Sequence, residues 1–395
     1  MSRFVLVSIV ILAAACKGGT GSASAANNNS AASATAAPGE GTSDTVSAVA
    51  GPLSTTDTAA TGSANEPSQT GASGQSHPTG TGSMAAATST PSGSPNPNRT
   101  PNELGRIMVL EYHLITDHNS TYSRERGQFR KDLELLYSRG YRPVNMSDVL
   151  DKKLNLPRGL SPVVFVFDDA SPEQFRYIDN NGKLEIDPTS GIGIWLDFKK
   201  THPDWDNKAV FCLLNGAAAG HNFFGDRGIQ GQSSQWRFQK VKWLADNGFE
   251  LCDHTVWHAQ LSKFSDAIVQ EQIARNALAI DSAVPGYKIR AMALPQGLWP
   301  KNRALASKGS WTDPKTGKTV NYSWPVVFEV AGGPMRSPYD PAFNPGSTPR
   351  IQVIGNAIER TINKLEQSGN MYISDGNPSI VARPAAGITT AAAKR

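Results

Sequence analysis

Two short stretches hold the residues whose types and spacing suit catalysis. Residues 163–171 read V-V-F-V-F-D-D-A-S, a β-branched and aromatic run that stops on two adjacent acids, Asp168 and Asp169. Such a run reads as a strand buried on both faces, as parallel strands are. Its carboxyl end is where α/β folds place their sites. Neighbours on a strand point to opposite faces, so two acids serving one site require the backbone to leave strand geometry between them. The same acids also suit the N-cap of a helix starting at Ser171-Pro172-Glu173. Residues 249–261 read F-E-L-C-D-H-T-V-W-H-A-Q-L, with His254 and His258 four apart. On a helical turn that spacing puts both imidazoles on one side, ready to share a metal. Taken alone, two histidines so spaced are more often solvated or in the core. Together with one carboxylate they make three protein ligands and leave positions open for water and substrate. The other carboxylate is then free to act as a base.

The elements that must position these groups occupy only part of the 395 residues. Arg3 and an apolar run over 4–15, followed by Cys16, read as a secretory signal that is short for a membrane span. Ala13-Ala14-Ala15-Cys16 is similar to a bacterial lipobox, with Cys16 as the lipidated first residue of the mature chain; a plain signal cleaved near Ala15 is the alternative. Residues 17–100 are Ala, Ser, Thr, Gly, Asn and Pro, with Val46, Val49, Leu53 and Met84 as the only larger apolar side chains. They bury too little to offset chain entropy and read as a disordered tether with a span of roughly 50 Å. The expectation is an exported protein, lipid-anchored to a bacterial membrane, its domain facing periplasm or cell surface. Residues 101–383 then form one domain, and 384–395 a flexible tail. The net charge of +4 is spread along the chain without a basic run, which argues against a nucleic-acid partner. Oligomeric state has no signature. Cys212 and Cys252 each fall in an expected strand; pairing and free buried thiols both fit.

Within the domain, strands are expected at 106–111, 141–144, 163–167, 208–214, 249–253, 287–294, 324–330 and 371–374. Helices are expected at 123–139, where Phe129, Leu133, Leu136 and Tyr137 share a face, and at 147–152, 191–202, 233–247, 266–283 and 356–367. Residues 177–188 read as a hairpin turning on Asn181-Gly182. This alternation is an α/β pattern of parallel βα units.

V-F-D-D-A resembles the T-F-D-D-G motif, and H-T-V-W-H the H-[S/T]-x-x-H motif, of polysaccharide deacetylases (carbohydrate esterase family 4). Tyr112-His113 after the first strand also resembles that family, and the likeness spans residues 107–300. It implies a distorted (β/α) barrel of about seven parallel strands. It implies a divalent metal, most often zinc, with cobalt or nickel as alternatives, held by Asp169, His254 and His258. Asp168 would be the general base, and a backbone N–H of a third motif would serve the oxyanion. The substrate implied is an acetylated polysaccharide, with N-acetyl removal as the expected reaction. An O-acetyl esterase and a non-catalytic carbohydrate-binding member are the alternatives.

Two departures stand against the resemblance. The family's R-P-P-x-G is here Ala293-Leu294-Pro295-Gln296-Gly297, so the Gln296 N–H is kept as oxyanion donor while the arginine that steadies the base is Ala293. Arg290 lies three residues earlier. No histidine follows His258, so the family's terminal acid is missing, and His113 is the candidate for that role. His202 and His221 read as solvated. Trp257 and Trp299 read as sugar platforms or packed rings. Asp253 reads as a carboxylate orienting His254 or as solvated.

Overall fold

The computed structural model describes residues 96, 98–216, 222–226 and 228–383. The expected signal, Cys16, the tether up to residue 95, His221 and the tail at 384–395 lie outside the described residues.

The chain begins with β1 (Met108–Tyr112), β2 (Leu114–Thr116), β3 (Ser123–Glu125), α1 (Arg126–Ser138), β4 (Tyr141–Pro143), α2 (Met146–Leu150) and β5 (Ser161–Phe167). The hairpin β6 (Tyr177–Asn180) and β7 (Lys183–Ile186) leads to α3 (Gly191–Thr201), β8 (Val210–Leu213), α4 (Arg237–Asp246), β9 (Glu250–Asp253), α5 (Asp266–Ala283) and β10 (Ala291–Ala293). A second antiparallel hairpin, β11 (Lys308–Thr312) and β12 (Thr319–Ser323), precedes β13 (Val326–Gly332), β14 (Thr348–Gln352) and α6 (Ala357–Gln367). Seven parallel strands close on themselves in the order β1, β5, β8, β9, β10, β13, β14, with β4 added beside β5. The fold is therefore a closed (β/α) barrel. It is distorted where β9 and β10 share a single paired position, Met292↔Asp253, and where the register slips between β13 and β14.

Alternation along the strands explains why the runs are apolar on both faces. Val109, Val164, Val166, Val210, Ala293 and Phe328 pack together inside the barrel, and Met146 and Val149 of α2 join the same cluster. Phe165, Phe167 and Phe211 point outward against Phe129, Trp195 and Trp205. Phe167 stacks on Phe211 at 4.9 Å, and Phe165 meets Trp195 edge-on at 5.0 Å. Each such side chain contributes about 1.5–3 kcal/mol by leaving water, and truncating Phe165 to alanine would cost about 3–5 kcal/mol. Carried one step further, the inward set Val164–Val166 reaches Asp168, Val109 reaches Glu111, and Cys252 reaches His254. The alternation that fills the barrel thus also aims the polar groups into its mouth.

The structure corrects several expectations. Residues 123–125 form a strand, with the Glu125 side chain capping α1 by accepting from the Gly127 N–H. Residues 371–374 are not a barrel strand: Met371 and Ile373 make isolated bridges to Arg106 and Asn102, because β14 already occupies the free edge of β1. β14 and the β11–β12 hairpin were not anticipated. His254–His258 is an irregular loop, not a helical turn, with Thr255 at φ 69° and His258 at φ 61°. Cys212 and Cys252 are disulfide-bonded at directly paired positions of β8 and β9, Cα atoms 4.4 Å apart. Among the described residues, no helix is long and apolar enough to cross a membrane.

Candidate active site

Asp168 still follows the ladder, its N–H donating to the Tyr112 carbonyl at 2.9 Å, and Asp169 then turns to φ 77°. A left-handed aspartate is uncommon and costs about 1 kcal/mol or more. It is the break in strand geometry that lets both acids face one mouth. The buried Gln174 amide reinforces it, donating to the Asp168 carbonyl at 2.5 Å and the His113 carbonyl at 2.7 Å.

The first cluster joins Asp169, His254 and His258, with one donor atom from each all within 4.8 Å of one another. Asp169 Oδ1 lies 3.3 Å from His254 Nε2 and 3.6 Å from His258 Nε2. His254 Nδ1 pairs with the Ala293 carbonyl at 2.9 Å, which fixes the tautomer and turns Nε2 toward Asp169. That Nε2 is buried and has no well-aligned hydrogen bond. An orphaned buried nitrogen beside a carboxylate and a second imidazole is the donor set a divalent cation takes, so these residues fit the metal. Burial opposes ionisation of Asp169, but adjacent His254 overrides it and holds the carboxyl below the usual range. Burial and the neighbouring His254 push His258 down to about 4, leaving its ring neutral.

The second cluster is the one the sequence hid. Arg350 Nη1 donates to both oxygens of Asp168 at 2.9 and 2.8 Å. Its Nη2 lies 2.8 Å from Glu111 Oε1, and its Nε donates to the Glu329 carbonyl at 2.6 Å. Arg350 and Asp168 are both inaccessible to solvent. Burial raises the Asp168 carboxyl, but the Arg350 charge prevails and lowers it overall. A guanidinium from β14 thus lies against Asp168, where Ala293 on β10 offers none. Arg290 plays no part; it pairs with Asp151 at 2.7 Å, away from the mouth.

The remaining candidates divide. His113 and Gln296 line the same cleft as Asp168, Asp169, His254 and His258, a hollow of about 260 Å³. His113 Nε2 is 3.9 Å from Glu111 Oε1, and burial lowers the pKa of its ring. Gln296 sits at φ 56° in a short turn, and Gly297 follows at φ 68°, where an added Cβ would lie 2.6 Å from Val330 Cγ1. Only glycine lets that loop approach β13. Asp253 neither orients His254 nor meets solvent: it accepts from the Thr255 N–H and from Asn276 Nδ2, fixing the loop itself. His202 is half-buried and stacks on Phe198 at 3.9 Å. Trp299 is packed, bonded to Glu329 and covered by Arg303, while Trp257 is exposed. A larger hollow of about 570 Å³ lies beside Arg99, Glu366 and Met371, and none of these candidates lines it.

With that geometry in hand, the chain can be set beside known proteins. Residues 202–309 match the family model described as Polysaccharide deacetylase. The matched stretch contains His254, His258 and the Gln296 loop. Among solved structures, the chain is similar to the Streptococcus pyogenes deacetylase PplD in complex with acetate (17% identity, 69% of this chain and 99% of that one, TM-score 0.45). It is also similar to BC0361, a polysaccharide deacetylase from Bacillus cereus (15%, 65% and 69%, 0.45). A third is IcaB from Ammonifex degensii (18%, 66% and 96%, 0.44). None of the curated proteins matches the chain.

Proposed function

We propose that this protein is a metal-dependent hydrolase that removes N-acetyl groups from a cell-wall or extracellular polysaccharide. The observation that carries the reading is the meeting, in one barrel mouth, of the Asp169–His254–His258 donor set with an Asp168 held by Arg350. A divalent cation on those three residues, zinc or else cobalt or nickel, would polarise the acetyl carbonyl and acidify a water. Asp168 takes the proton from the attacking water, and the Arg350 charge keeps it ionised and aimed for that role. The Gln296 N–H donates to the oxygen that gains charge. His113 lines the same cleft beside Asp168, their donor atoms within 4.8 Å, and is the group that would protonate the leaving nitrogen. The Cys16 signature supports export and a lipid anchor, with the domain on the outer side of the membrane that holds it.

Bound zinc, cobalt or nickel measured on the full chain, with acetate release from chitin oligomers, peptidoglycan and acetylated xylan, tests the reading. Metal at about one ion per chain and release from the amide substrates are expected. A protein with no metal and no acetate release would sink it, and release from xylan alone would make the enzyme an O-acetyl esterase.

A further inference from the structure

The two cysteines of the domain lie one pleat below a metal-ligand position. Cys212 of β8 and Cys252 of β9 are directly opposed, wholly buried and bonded to each other. Both belong to the cluster that fills the barrel. His254 follows Cys252 by two residues and so leaves β9 on the same inward face. Between the bridge and the ligand stands one more pair, Leu213↔Asp253, and the His254 N–H closes the ladder on the Leu213 carbonyl at 3.1 Å. On its other side β8 pairs with β5 through Val166↔Val210 and Phe167↔Phe211. β8 therefore stands between the strand that leads to Asp169 and the strand that leads to His254 and His258.

The opposite flank of β9 is weakly held. It shares a single paired position with β10, against four with β8. The inward side chains of β10, Ala291 and Ala293, are only methyl groups and offer β9 little surface to pack on. β10 leans instead on β13, through three pairs. The barrel thus has a seam between β9 and β10, and His254 spans it with Nδ1 on the Ala293 carbonyl. A ligand on a seam is exposed to sliding of the wall, while a metal site tolerates only about 0.2 Å in its distances. Asn276 of α5 adds a brace on the firm side, donating to the Leu213 carbonyl at 2.7 Å and to Asp253 Oδ2 at 3.0 Å, but that brace is not covalent.

We propose that the Cys212–Cys252 disulfide is a positioning device for the metal site. It fastens the strand that leads to His254 and His258 to the strand beside Asp169, and so pre-sets the distance between the ligands on the two sides. The inference rests on the metal-dependent reading above. Cys212 and Cys252 touch neither metal nor substrate and act only as positioning residues. Without the bridge, the three donors have to be gathered from a wall that opens at its seam. Part of the metal-binding free energy then goes into closing it.

The test measures zinc affinity on the full-length protein by competition with a chromophoric chelator. The variant is Cys212→Val with Cys252→Val, which refills the barrel with apolar side chains and leaves no thiol at the seam to take up zinc itself. Its zinc Kd rises about 10–100-fold, the range expected when groups that support a ligand are removed. Acetate release from a chitin oligomer at saturating zinc stays near that of the parent, because the bound metal gathers the ligands again. Leu136→Ala, a buried truncation on α1 away from the seam, is the control for lost stability alone; it lowers Tm and leaves the zinc Kd unchanged. Cys212→Ala with Cys252→Ala serves if the valine pair does not fold. A folded pair variant with parent-like zinc affinity overturns the positioning role. An equal loss of affinity in Leu136→Ala overturns it too, by reducing the bridge to a source of general stability. The zinc comparison is independent of turnover: a parent that binds zinc but releases no acetate removes the hydrolase reading and not the role of the bridge, whereas a parent that binds no zinc overturns both.

Discussion

The two sides of the barrel mouth follow different rules. On the side of β5 and β9, Asp169, His254 and His258 occupy positions that a short motif names, and the backbone is forced into left-handed conformations at Asp169 and His258 to present them. On the side of β10 and β14, the positive charge against Asp168 comes from Arg350, 182 residues beyond its partner. The difference is one of physical demand. Metal ligation needs particular atoms with particular lone-pair directions at about 2 Å, so identity and local spacing are tied together. Steadying a carboxylate needs a guanidinium fork that reaches one point from any strand around the ring. At position 293 it is the backbone carbonyl that contributes, pairing with His254 Nδ1.

The comparison can be broken from its strongest side first. His254→Ala or Asp169→Asn should abolish bound metal, read by elemental analysis, and reduce acetate release by about 10³-fold or more. Asp168→Asn should keep the metal and still lose about 10²–10⁴-fold in kcat. Parent-like turnover in that variant would remove the base assignment. Arg350→Met comes next. It leaves Glu111 and Asp168 facing each other without a cation, at about 3–5 kcal/mol of stability, and should lower kcat about 10²-fold with metal retained. Arg350→Lys should recover only part of that, because an ammonium lacks the fork. If Ala293→Arg restored activity to Arg350→Met, the two positions would be interchangeable, and the distinction drawn between the two sides would fail.

The smallest effect lies at the far end of β9. Glu250 accepts from the Ser147 N–H at 2.9 Å, and burial pushes it up to about 7. A carboxyl raised on folding favours the protonated folded state. Its contribution is thus full below the ordinary pKa of about 4.5 and is lost as pH rises through about 7. Thermal melts should fall between pH 5 and 8 by the equivalent of about 2 kcal/mol in the parent and stay flatter in Glu250→Gln, with metal content unchanged. A drop in metal content would mean that both ends of β9 act as one unit.

Most of the barrel could be read in advance because its strands carry their signal locally. V-V-F-V-F and V-F-C-L are apolar over their whole length, and such runs admit few other placements. β14 escaped for the opposite reason. Thr-Pro-Arg-Ile-Gln has a proline at its second position and alternates polar with apolar, the look of an edge or a loop. The one clue was the alternation itself: Arg350 and Gln352 fall on one face, Ile351 and Val353 on the other. The four-residue histidine spacing named a pair that does meet, but through an irregular loop and not a helical turn. Asp253 was misread because burial is a property of neighbours, and nothing in a short stretch reports it.

What the sequence determined by itself was which side chains, Asp168, Asp169, His254 and His258, suit one donor set, because metal chemistry leaves few residue types and spacings that work. What only the tertiary structure decided was which cation lies against Asp168 and which acid stands beside His113. Both depend on closure of the barrel, which brings β14 against β1 and β1 against β5. Charges far apart along the chain then share a dry interior, where each must find a partner or a proton.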